Sequence, residues 1–271
     1  MVNEYPQALT IAGSDSDGSA GMQADLHTFF VRKVYGMSVI TACVAGNSYG
    51  IHDSVNMPEH FINQEFKDLD DDFDIKAAKT GMLSDAKLIN IVVDNYKKYN
   101  FGPLIVDPVI VTKHGAMLLE TKAFETLKEK LVPLATVITP NFYEAEKLAD
   151  MTINNDKDVE KSAQILKNMG AKNVIIKGKH VAGETKEVKD YVLLESGEDF
   201  WITGPYYDTT HKNGTGDSLS AAITAEIAKG KSVKEAIIIA DEFVDAAIKN
   251  GIEVGHKFGP INHWAATKLD K

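Results

Sequence analysis

Residues 211–222 read His-Lys-Asn-Gly-Thr-Gly-Asp-Ser-Leu-Ser-Ala-Ala, and they hold the densest chemical signal in the chain. Gly214 and Gly216 let the backbone turn with positive φ and approach a ligand closely, with Thr215 between them keeping the turn short. Leu219, Ala222, Ile223 and Ile227 then fall at helical spacing, and Gly230 stands where a helix ends. A glycine turn that opens a helix is an anion cradle, because the first N–H groups lack intrahelical partners and the macrodipole adds positive potential. Asp217 beside that cradle would repel a resting phosphate, unless it has a proton to remove. A carboxylate base next to an anion hole is what phosphoryl transfer to an alcohol requires. The alternative is an ordinary N-terminal helix acid with glycines that serve only the turn, and this stretch alone leaves both readings standing.

The elements that must position these residues follow an alternating order. Residues 8–12 read as a buried strand, 13–21 as a glycine loop and 22–31 as a helix. The loop is not a phosphate loop, since Ser19 and Ala20 stand where Lys and Ser or Thr are needed and Asp15 and Asp17 would repel phosphate. It also lacks the dinucleotide glycine pattern, which removes the main support for an NAD-linked dehydrogenase. A polar, non-anionic ligand suits it better, and Asp25 in the following helix is placed to bond a hydroxyl or ring nitrogen, or else is a solvated helix acid. A second strand over 37–44 leads into a loop over 45–50.

Further strands are expected over 75–80, 104–107, 135–139 and 173–177, with helices over 58–72, 85–99, 121–131, 156–169 and from Ser232 to the stop at Gly251. Residues 191–194 and 200–203 form a small edge hairpin, and 109–117, with Lys113, His114 and Gly115, read as a lid. Asn141 and Glu144, three apart at a helix start, are either a capping pair or oxygen donors acting on Mg²⁺. Lys177 and Asp107 arrive at the same sheet edge, where ligands bind in open α/β sheets. The fold expected is one α/β domain over 1–271, a mainly parallel sheet with helices on both faces.

Composition narrows the function classes. A net charge of −10 disfavours nucleic acid and anionic membranes, and a hydrophobic share of 44% is a globular value. Cys43 is the only cysteine, the eight histidines show no zinc spacing, and no nucleophile elbow occurs. With no signal-like N-terminus and no membrane-length apolar run, a cytoplasmic protein is expected.

Taken together, Leu9-Thr10-Ile11-Ala12-Gly13-Ser14-Asp15, Gln23-Ala24-Asp25-Leu26, Lys79-Thr80-Gly81-Met82-Leu83, Val106-Asp107-Pro108-Val109, Thr139-Pro140-Asn141 with Glu144, Ile176-Lys177-Gly178 and Gly214-Thr215-Gly216-Asp217 resemble the hydroxymethylpyrimidine/phosphomethylpyrimidine kinases and the pyridoxal kinases similar to them. The resemblance runs in order along nearly the whole chain and implies the ribokinase-like fold, a sheet of about eight strands, an ATP:alcohol phosphotransferase using Mg²⁺, and commonly a homodimer. It further implies Asp217 as base, Gly214, Thr215 and Gly216 as anion hole, and Asn141 and Glu144 organising Mg²⁺ and its waters. Asp107 would support the metal and Lys177 the ATP phosphates, while Asp25, Met82 and Val109 would line the substrate pocket. Two positions depart from the pattern: Asp217 where many relatives carry cysteine, and Gly46 where the pyrimidine kinases typically carry glutamine. A glutamine pairs with the amide-like edge of an aminopyrimidine, and glycine offers no such pair. A B6 vitamer is therefore the expected substrate, with Gly46 at its pocket. A hydroxymethylpyrimidine kinase is the alternative, and a non-catalytic vitamin-binding protein is the alternative of another class.

Overall fold

The structure is a computed structural model that describes residues 4–110, 119–179 and 186–265. Its strands and helices follow in the order β1 (Gln7–Asp15), α1 (Gly21–Val31), β2 (Tyr35–Asn47), β3 (Gly50–Asn56), α2 (Glu59–Asp72), β4 (Ile75–Thr80), α3 (Ala86–Lys98) and β5 (Leu104–Val106). After the undescribed segment come α4 (Thr121–Thr126), which continues as irregular helix to Leu134, then β6 (Val137–Ile138), α5 (Phe142–Ala149), α6 (Asp156–Asn168) and β7 (Asn173–Ile176). The chain then gives β8 (Glu187–Leu193), β9 (Asp199–Pro205), β10 (His211–Asn213), α7 (Thr215–Ala228), α8 (Val233–Lys249) and β11 (Gly259–Pro260).

Nine strands make one sheet in the order β3-β2-β1-β4-β5-β6-β7-β8-β9. The six from β2 to β7 are parallel, and β3, β8 and β9 are joined by antiparallel pairings. Side chains alternate across this sheet. Leu9, Leu104, Val106, Val174 and Ile176 pack with α2 to α6 on one face. Ala8, Ile105, Val137 and Ile175 pack with α1, α7 and α8 on the other. Burial on both faces explains why the parallel strands read as short continuous apolar runs.

Helix α7 is buried almost all round, and its Ala221, Ala222, Ala225 and Ala228 let it lie close against the sheet.

Three expectations need correcting. The loop expected over 45–50 is a hairpin in which β2 continues to Asn47 and pairs with β3. All seven residues of β3 are exposed, so the strand has no buried face to write an apolar alternation into the sequence. β1 runs on through Gly13 to Asp15, which shortens the glycine loop, with a register shift against β2 between Ala12 and Ser14. The edge hairpin is longer than expected at both strands. Of the 109–117 lid, only Val109 and Ile110 lie within the described residues.

Candidate active site

The parallel strands deliver Asp15, Thr80, Asp107, Thr139 and Lys177 to one edge, and the N-termini of α5 and α7 face it. Gly214 has φ of 77°, and a Cβ there would stand 2.3 Å from the Ser19 carbonyl oxygen, so only glycine fits. The Gly214 carbonyl accepts from Ser218 N–H at 2.8 Å, which starts the helix, and no side chain caps it. The first N–H groups of α7 therefore have neither an intrahelical partner nor a capping side chain. Above them stand the Lys177 Nζ and Asp107 Oδ2 atoms, 3.3 and 3.5 Å from where a Gly216 Cβ would be. Lys177 and Asp107 pair at 3.8 Å. Thr215 turns its hydroxyl back to the Lys212 carbonyl at 2.8 Å, leaving its backbone to face the site.

Burial raises the Asp217 carboxyl above the usual carboxylate range, and Asp107 adds to that, while Lys79, Lys177 and the Gly21 N–H pull it down. A carboxylate made more basic beside two cations is suited to take a proton.

Asp25 is neither a solvated helix acid nor an open pocket group. It is fully buried, taking 2.6 Å and 2.5 Å hydrogen bonds from the Thr10 hydroxyl and the Lys79 ammonium. With both oxygens held by side chains, it presents no exposed surface to a ligand. Burial pushes it up to about 7 against the pull of Lys79. Lys79 is also fully buried; burial opposes its charge, yet Asp25, Asp217 and Asp107 together hold it above its ordinary value. Its Nζ also reaches the Asp217 backbone carbonyl at 3.5 Å. Sequence reasoning quoted Lys79 in a motif without giving it a role, although a lysine inside a strand of buried residues was itself a signal.

Asn141 and Glu144 form the capping box. The Asn141 side chain accepts from Tyr143 and Glu144 N–H at 3.0 Å each, and Glu144 accepts from Asn141 and Ile110 N–H at 2.8 Å each. Burial pushes Glu144 up to about 7. Among the described residues no group of three or more His, Cys, Asp or Glu side chains could hold a metal. The donor set still fits Mg²⁺, which keeps most of its waters and binds through one or two carboxylates plus substrate phosphates. The Asp107 carboxylate stands beside the turn, and both Glu144 oxygens accept from backbone N–H groups.

Met82 lies over Gly13, its Cε 2.9 Å from where a Gly13 Cβ would be. Val109, three residues beyond the end of β5, has φ of 46°, a strained conformation for a β-branched residue. Gly46 exchanges two 2.9 Å hydrogen bonds with the Ser16 hydroxyl, accepting at its carbonyl and donating from its N–H. A Cβ on Gly46 would meet the Gly50 carbonyl oxygen at 2.9 Å. Behind the turn opens a cavity of about 590 Å³. Its apolar walls include Val188, Ile202 and Val244, and Lys177, Thr215 and Gly216 lie at its polar end. Asp190, Asp241 and Asp245 also line it. Burial, then Asp190, Asp245 and Glu242, push Asp241 up to about 7. No sequence periodicity marked these acids.

Uncapped N–H groups at a glycine turn, a buried carboxylate and a neighbouring lysine at one sheet edge suit phosphoryl transfer to an alcohol, and the sequence matches the phosphomethylpyrimidine kinase family over residues 15–262. The chain belongs to that family. It is 45% identical to a hydroxymethylpyrimidine/phosphomethylpyrimidine kinase of Haemophilus influenzae, over 99% of this chain and 100% of that one. A Bacillus subtilis protein of the same description is also 45% identical, over 96% of this chain and 95% of its own. Among solved structures, an ADP complex of Bacillus subtilis pyridoxal kinase superposes with a TM-score of 0.88 at 36% identity, covering 97% of this chain and 98% of that one. Staphylococcus aureus pyridoxal kinase in complex with AMP-PCP and pyridoxal gives 0.86 at 34%, covering 97% and 95%. The fold is thus that of the ribokinase-like pyridoxal kinases, and this member of the family is a phosphotransferase acting on an alcohol group.

Proposed function

We propose that the chain transfers the γ-phosphoryl group of ATP to the hydroxymethyl group of a B6 vitamer. Asp217 takes the hydroxyl proton as the substrate oxygen attacks the γ-phosphorus, and the bond to the β,γ-bridging oxygen breaks to release ADP. The N–H groups of the Gly214–Gly216 turn hold the charge that develops on the phosphoryl oxygens, and Lys177 neutralises the phosphates. Mg²⁺, when bound, screens the phosphate charge; Asp107 would hold it, with Asn141 and Glu144 ordering its waters. ATP fits the cavity behind the turn in size and in its apolar walls, with Lys177 at its polar end to meet the phosphates.

The observation that carries the substrate reading is Gly46. Its backbone is committed to Ser16, and the space beyond its Cα is filled by the Gly50 carbonyl, so position 46 offers no side-chain donor and acceptor for an aminopyrimidine edge. The second reading, a hydroxymethylpyrimidine/phosphomethylpyrimidine kinase, is favoured by the 45% identity to proteins of that description. Values of kcat/KM for pyridoxine, pyridoxal, hydroxymethylpyrimidine and its phosphate on one preparation separate the two. A B6 vitamer preferred by tenfold or more is expected, and preference for either pyrimidine overturns the assignment.

The same reading takes the chain as one catalytic domain, supported by the family match along most of its length and by one nine-stranded sheet, and has it act in the cytoplasm. It also takes the active form as a homodimer. Supporting this, β3 is an edge strand with Tyr49 beside it and Ile51 and Val55 on it exposed. Sedimentation of a single monomeric species at micromolar concentration contradicts the dimer.

A further inference from the structure

The last described stretch of the chain closes over the head of α7. β11 pairs with β10, the strand immediately before the glycine turn, with His211 opposite Gly259 and Asn213 opposite Pro260. The fit there is close, since a Cβ on Gly259 would stand 2.2 Å from the His211 ring. Ile261, fully buried, donates its N–H to the Asn213 carbonyl at 3.2 Å. Asn262 is tied to α8 and the residue after it, donating its N–H to Ala247 and its side-chain amide to Asn250.

These bonds deliver His263 to a buried position between three helices. Its ring meets His27 of α1 edge-on at 5.5 Å and Phe243 of α8 at 6.4 Å. Its Nε2 shares a 2.9 Å hydrogen bond with the hydroxyl of Ser218, which is fully buried in the first turn of α7 and follows Asp217 in sequence. The turn is therefore held from both sides, by β11 on β10 before it and by His263 on Ser218 after it.

We propose that His263 is a positioning residue for phosphoryl transfer, acting through Ser218 to fix the rotation of α7 about its own axis. This rests on the Gly214–Asp217 turn being the catalytic one. A helical side chain reaches about 6 Å from the axis, so a rotation of roughly 10° displaces the Asp217 carboxylate by about 1 Å. A displacement of that size can cost on the order of 10²-fold in rate. The anion-hole N–H groups and the base act chiefly in the transition state, so the loss falls on kcat rather than on KM.

The test measures ADP release by the full chain, using whichever of pyridoxal or hydroxymethylpyrimidine the wild type turns over faster, with rates expressed per folded protein. Ser218→Ala and His263→Phe should each lower kcat by roughly ten- to a hundredfold, with KM for ATP and acceptor moving less than about twofold. The double variant should be no worse than the poorer single one, because both remove the same bond. His263→Gln, whose amide can stand where Nε2 stood, should recover most of the rate. Unchanged kcat in Ser218→Ala, additive losses in the double variant, or a loss confined to thermal stability each overturn the proposal. Ser218→Ala is a mild change in a helix and decides the matter even where His263→Phe does not fold. Asp217→Asn run alongside keeps the two ideas apart: full activity there sinks the reading of the turn, whereas a dead Asp217→Asn beside a fully active Ser218→Ala sinks only the role of His263.

Discussion

Lys79 has no exposed surface and yet carries an ammonium, which makes it the residue on which the buried charges depend. Removing one partner of a buried pair costs more than the pair contributes, because the other charge is stranded. Lys79→Met should therefore destabilise the protein by about 3 kcal/mol in urea unfolding, and adding Asp25→Asn should recover part of that loss. A Lys79→Met protein as stable as the wild type would mean that the pair is not buried as described. Gly214 makes a second residue-scale case. Alanine there must adopt a left-handed backbone at a cost of roughly 1–2 kcal/mol and must also push the Ser19 carbonyl aside. Gly214→Ala should lose nearly all turnover, as ADP release would reveal. At this scale the sequence placed Gly214, Asp217, Lys177 and Asp107 at one edge, where the structure brings them together, because glycine spacing and strand-end position are local. It did not disclose the environment of Asp25, whose partners Thr10 and Lys79 lie 15 and 54 residues away. A glutamine at position 46 is not a simple graft. Its Cβ meets the Gly50 carbonyl, so Gly46→Gln shifts selectivity toward the pyrimidine only if the hairpin tip gives way.

At the scale of elements, helices were the most legible. Asn141 and Glu144 form the capping pair that was one of their two readings, and α8 starts at Ser232 as expected, in a capping box with Glu235. Ser232→Ala should cost about 1 kcal/mol in thermal or urea unfolding and leave turnover unchanged, since it sits at the far end of α7 from the site. The exposed β3 and the two-residue β11 were not legible, because neither carries a buried periodic face and β11 exists only through the distant β10. The segment carrying His263 has a measurable signature. Burial, and then His27, push the His263 imidazole down from 6.5 to about 4, so the folded protein keeps it neutral while the unfolded chain protonates it. Between pH 6.5 and 4 the unfolded state binds the extra proton, and stability falls as pH falls through that window. The full contribution is about 3 kcal/mol. The stability difference between wild type and His263→Gln should be constant above pH 7 and should narrow toward pH 4. A difference independent of pH would mean that His263 is not buried neutral.

For the whole molecule, alternation of short apolar runs with amphipathic helices was enough to specify a mainly parallel sheet with helices on both faces, and hence the edge where ligands belong. What composition could not specify was the cavity between the turn, β8 to β9 and α8, which joins walls from both ends of the chain's second half. ADP at a hundred times its Kd should raise the unfolding free energy by about 2.7 kcal/mol and slow amide exchange in β8, β9 and the facing side of α8. Protection appearing elsewhere would move the nucleotide out of this cavity. The central claim, that Asp217 is the base at the head of α7, is tested most directly by kcat for ADP release in wild type and Asp217→Asn at saturating ATP, Mg²⁺ and pyridoxal. The asparagine keeps the size and the helix while removing the proton acceptor, and kcat should fall by roughly 10²–10⁴-fold. Equal turnover in the two proteins would contradict the account.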